Sequence, residues 1–166
     1  ENWFSDAQRV VIVGIGNPLR KDDSIGIEIV RKLLHRVPKE VFLIECETVP
    51  ENFIEQITEL KPTHILIIDA AYIGLEPGSS ELIEPDQMAR QGISSHILPI
   101  QLFCGYLALT AKAKLSLLLI QPRNTCFGES LTAELEKSAE NLTDLISTVT
   151  YRALAGNRKK NLSTLG

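Results

Sequence analysis

Long apolar runs, surplus positive charge and paired cysteines are all missing from this 166-residue chain, and each shortage closes off a class of function. No uninterrupted apolar stretch approaches the ~18 residues of a membrane-spanning helix, and the first residues lack a basic-then-apolar leader pattern. The chain opens on Glu1 rather than Met, so a residue or short leader ahead of it is expected. A net charge of −4 leaves no basic footprint for nucleic acid. The three cysteines, Cys46, Cys104 and Cys126, are odd in number and have no metal-ligand spacing. They argue against a disulfide framework and for a reducing, cytoplasmic setting. Gly-x-Ser-x-Gly, the elbow of serine hydrolases, does not occur. What is present is 44% apolar residues at a mean hydropathy of +0.05, enough for one compact soluble domain. We expect residues 1–155 to form a single α/β domain, residues 156–166 a flexible tail, and the working state to be a monomer.

Apolar runs alternate with helical patterns, which predicts a sheet covered by helices on both faces. Residues 9–15 read as the first strand and residues 22–36 as a helix burying Ile25, Ile29, Val30, Leu33 and Leu34. His35 and Arg36 then fall in its last turn, where positive charge suits the helix dipole. Residues 41–46 read as a second strand. Thr48 and Glu51 have capping-box spacing ahead of a helix over 50–60. The run over 64–69 is the apolar kind buried on both faces. Leu75-Glu76-Pro77-Gly78 is a turn, and 79–83 an edge strand closing a hairpin. Residues 92–98 read as a loop carrying His96, 99–112 as a helix and 114–121 as the last strand. Ser130 caps a long helix with a stripe of Leu131, Leu135, Leu142, Leu145, Ile146 and Val149. After Leu154 the composition suggests fraying.

The densest information lies in residues 14–26, where Val10-Val11-Ile12-Val13 runs into Gly14-Ile15-Gly16-Asn17 and then the acidic pair Asp22-Asp23. A dinucleotide fingerprint needs a third glycine where Leu19 stands, and adjacent carboxylates repel phosphate. The loop suits a cation. One of the two aspartates serves as an ordinary helix-start residue, Asp22 being favoured for that part. Asp69 ends the apolar strand Ile65-Leu66-Ile67-Ile68, and parallel strands place it on the same sheet edge as Asp23. His35 and His64 have structural explanations, which leaves His96 as the histidine best placed to join the carboxylates. Two carboxylates and an imidazole suit Zn²⁺ or Ni²⁺ better than Mg²⁺ or Ca²⁺. A cysteine nucleophile is disfavoured: Cys46 lies between Glu45 and Glu47, Cys104 is core, and Cys126 has no adjacent histidine.

Taken in order, these pieces resemble the hydrogenase maturation endopeptidases. They are Gly14-x-Gly16-Asn17 with Asp22-Asp23, Glu47-Thr48-Val49-Pro50-Glu51-Asn52, and Lys61 to Ala70. Gly74 to Gly78, Ser95-His96 and Ile120-Gln121-Pro122 complete the match. The middle segment is most similar to the branch serving formate-hydrogenlyase and energy-converting hydrogenases. The resemblance implies a three-layer α/β/α sandwich around a twisted, mainly parallel sheet of about five strands. It implies an aspartic-type metal-binding protease that removes a C-terminal extension from a nickel–iron hydrogenase large-subunit precursor. Asp23, Asp69 and His96 would then be the catalytic and metal-binding positions, with nickel supplied by the precursor and zinc a possible substitute. Either a Lewis-acid role for the metal or a water activated by a carboxylate, Asp22 or another nearby one, would fit these residues. Ser24 stands where the family often has glycine, and an ordinary helical backbone is expected there. Two other classes of reading stand beside this one: a non-catalytic metal-sensing or chaperone domain that docks on the precursor, and a nucleotide-binding domain.

Overall fold

The computed structural model describes residues 2–88 and 98–163. Five strands, β1 (Val10–Ile15), β2 (Val41–Glu47), β3 (His64–Ala70), β4 (Ser80–Ile83) and β5 (Lys114–Ile120), form one sheet in the order β2-β1-β3-β5-β4. All neighbours are parallel except β4 and β5, which run antiparallel. The helices are α1 (Ile25–Leu33), α2 (Ile54–Glu59), α3 (Pro85–Met88), α4 (Leu98–Ala111) and α5 (Ala133–Ser163).

Period-two alternation explains the layers. Val10 and Ile12 of β1, with Leu66 and Ile68 of β3, pack against Ile25, Ile29 and Leu33 of α1 and Leu135, Leu142 and Ile146 of α5. Their neighbours Val11, Val13, Ile65 and Ile67 face the other way, onto Ile57 of α2 and Phe103 and Leu107 of α4. One strand therefore feeds two cores, and the three-layer sandwich follows. From β1 the chain steps outward to β2 and then back past β1 to β3. The crevice at the carboxyl ends of β1 and β3 is thus the point where strand order reverses, the place open α/β sheets reserve for ligands.

Several local expectations are corrected. β4 is an edge strand, but it pairs with β5 and not with β3, so the hairpin is not formed. The central slot beside Ile65–Ile68 needs an apolar strand, and Leu115–Ile120 fills it better than Ser80-Glu81. The Thr48–Glu51 capping box is not made. Glu47 turns left-handed at φ 48°, Val49 becomes the cap, and a 3-10 turn over Pro50–Phe53 precedes α2. The first helix is shorter than 22–36: Lys21–Ser24 is a 3-10 turn, α1 ends at Leu33, and His35 sits outside it at φ 63°. α5 begins after Thr132 rather than at a Ser130 cap, and Leu145 of its expected stripe is exposed. Its backbone stays helical to Ser163, beyond Leu154; Gly156 costs only ~1 kcal/mol in a helix already anchored by packing. Among the described residues no helix is long and apolar enough to cross a membrane.

Candidate active site

Close packing builds the crevice. A Cβ on Gly26 would collide with the carbonyl oxygens of Ile15 and Ile68, and one on Gly14 with the carbonyl of Gly26. Gly16 adopts φ +146° against the carbonyl of Asp23. The glycines therefore act to press the start of α1 onto the ends of β1 and β3. That brings the Asp23 carboxylate to Asp69 at the end of β3.

Asp23 Oδ2 accepts the Asn17 N–H at 3.1 Å, and the Asn17 Oδ1 in turn accepts the Leu19 N–H at 2.9 Å. Asp69 Oδ1 accepts the Ala70 N–H at 2.8 Å. Burial, and then the charge of Asp23, push Asp69 up to about 8, with the Ala70 N–H acting in the opposite direction. Two carboxylates in one crevice, one of them protonated at neutral pH, make a place where a cation would replace a proton. His96 lies outside the described residues, and among the described residues no group of three His, Cys, Asp or Glu forms a metal cluster.

Asp22 has another part. It is fully buried, and its two oxygens accept the N–H groups of Arg123, Asn124 and Thr132 at 2.7–2.9 Å and the Thr132 hydroxyl at 3.1 Å. Four donors occupy this carboxylate, so it fastens the β5–α5 loop to the site loop instead of capping its own helix. Ser24 is buried in ordinary right-handed backbone, its hydroxyl donating to the Lys21 carbonyl. Gln121, quoted above only as part of a motif, is buried at the end of β5. Its Oε1 accepts the N–H groups of Ile73 and Leu75, which shapes the chain leaving Asp69. A polar side chain closing an apolar strand beside Asp69 was the available signal.

The alternatives lose ground on the same geometry. The N–H groups of Gly16, Asn17, Leu19, Arg20, Lys21, Asp22 and Asp23 all bond within the protein, leaving no backbone cradle for a phosphate. The Cys46 and Cys104 thiols are each pushed up to about 12 by burial, rather than by the glutamates flanking Cys46. Cys126 is exposed. His64 is buried on the opposite sheet edge, with Asp6 beside it and its own basicity lowered by burial.

Comparison with known proteins agrees. The profile of the hydrogenase maturation protease family HycI matches residues 27–149. A candidate hydrogenase maturation protease of Methanocaldococcus jannaschii is 34% identical over 151 residues, 86% of this chain and 89% of that protein. The Escherichia coli hydrogenase 3 maturation protease is 34% identical over 91 residues, 54% of this chain and 58% of its own length. The crystal structure of the [NiFe] hydrogenase maturation protease HycI from Thermococcus kodakarensis superposes with a TM-score of 0.84 at 28% identity, covering 90% of this chain and 97% of that one. With the sheet order, the paired carboxylates and these matches in hand, the chain belongs to the hydrogenase maturation protease family.

Proposed function

We propose that this protein is an endopeptidase that removes the C-terminal extension of a nickel–iron hydrogenase large-subunit precursor, and that it recognises the nickel already installed there. The observation that carries this reading is the convergence of Asp23 and Asp69 at the switch point, with Asp69 holding a proton at neutral pH. A divalent ion presented by the substrate replaces that proton and cancels the repulsion between the carboxylates. His96, from the motif, completes a mixed oxygen and nitrogen set that suits nickel or zinc. Such a set leaves positions on the ion open, and it fixes the scissile bond relative to the metal. Asp22 and the glycines keep the loop in place while the substrate binds.

The test is intact-mass analysis of a large-subunit precursor, with and without nickel, after incubation with the purified chain. The expected result is loss of one defined C-terminal peptide from the nickel-loaded form alone. Asp23→Asn, Asp69→Asn and His96→Ala should leave folded proteins that do not process it. Cleavage irrespective of nickel would remove the recognition role of these residues. No cleavage of a verified nickel-loaded precursor would favour a docking protein that leaves hydrolysis to another.

A further inference from the structure

The rim of the crevice displays large apolar side chains that the core does not use. Phe127 is 81% exposed, Tyr72 52% and Leu19 50%. They are held on a braced scaffold. The Gly128 N–H donates to the Leu19 carbonyl at 2.9 Å, and the Lys21 N–H to the Gly128 carbonyl at 2.7 Å. The Tyr72 hydroxyl lies 3.1 Å from the Thr125 hydroxyl, and Arg20 Nε donates to the Thr125 carbonyl. Asp22 fastens both ends of the same loop. Leu19 is one hydrogen-bonded step from Asn17, which is bonded to Asp23. The loops that carry these side chains are therefore hydrogen-bonded to the loop of the carboxylate site.

We propose that Phe127, Leu19 and Tyr72 form the docking edge for the folded body of the precursor, and that they set which precursor is accepted. This rests on the function proposed above: a protein substrate that reaches Asp23 and Asp69 through this end of the sheet meets the rim. A ring so fully exposed projects from its loop, so its complement is a concave apolar recess on a folded partner rather than an extended peptide. Rigid aromatic and aliphatic anchors on a pre-formed loop are what carry binding energy at protein interfaces.

The experiment measures processing of the nickel-loaded precursor across a range of precursor concentrations for wild type, Phe127→Ala, Phe127→Leu and Leu19→Ala. Phe127→Ala should raise KM about tenfold or more with kcat within about twofold, and Phe127→Leu should recover most of the loss. Thermal midpoints should not move, because the ring contributes little to the core. An unchanged KM, or a fall in kcat alone, overturns the proposal. So does sedimentation showing a wild-type dimer that Phe127→Ala dissolves, since the edge would then serve a second copy. If wild type does not process the precursor, the function proposed above fails. The docking edge is then judged by direct binding of chain to precursor, which Phe127→Ala must weaken by a similar factor.

Discussion

Asp69→Asn should make this protein more stable near neutral pH while abolishing its activity. In the folded chain Asp69 titrates near 8, against an ordinary 3.8. At pH 7 the folded protein keeps a proton that the unfolded chain has released, a gap of about three pH units at about 1.4 kcal/mol each, or ~4 kcal/mol against folding. That shift sets a ceiling of ~4 kcal/mol on the gain, or ~8–16 °C in Tm for a domain of this size. The sign is fixed by the raised value. The cost is absent below pH 4, grows as pH rises through 8, and is constant above. Asparagine retains an oxygen for the Ala70 N–H and presents an amide instead of a second negative charge to Asp23. Urea titrations of both proteins at pH 4.5, 6, 7 and 8.5 would measure this. Curves that coincide at low pH and separate progressively toward pH 8.5, with the variant more stable, are expected. A variant that is no more stable at pH 8.5, or a difference independent of pH, would refute the reasoning.

Other outcomes follow from neighbouring residues. Asp22→Ala strands three backbone N–H groups and a hydroxyl, so ~3 kcal/mol or more should be lost in urea unfolding, with faster amide exchange at Arg123, Asn124 and Thr132; a loss below ~1 kcal/mol would contradict the staple. Gly26→Ala and Gly105→Ala should move stability in opposite directions. The first drives a methyl into two strand-end carbonyls, while the second fills open space in α4 and adds ~0.5–1 kcal/mol. Alkylation of the native protein at pH 8 should label Cys126 alone, because burial holds Cys46 and Cys104 up at about 12; mass spectrometry showing two or three adducts would argue otherwise.

What was legible in the sequence was whatever local periodicity controls. The doubly buried strands, the edge placement of 79–83 and the shared edge of Asp23 and Asp69 all follow from residue patterns. What escaped depended on partners distant in the chain. β4 chooses β5 over β3 because of the sheet slot that Leu115–Ile120 fills, some thirty residues later. Asp22 looked like a helix-start carboxylate because its four donors lie over a hundred residues away. The need for glycine at position 26 carries no local signal, because the carbonyls of Ile15 and Ile68 that crowd it come from the ends of two strands.

The site loop's own hydrogen bonding has a consequence for selectivity. Since its amides are satisfied inside the protein, the loop has little conformational freedom left to surrender when a substrate arrives. Binding energy is then not diverted into ordering the enzyme. A misfit between two rival substrates is felt almost at full value, for a stiff surface cannot yield to accommodate it. Such a loop trades breadth for discrimination.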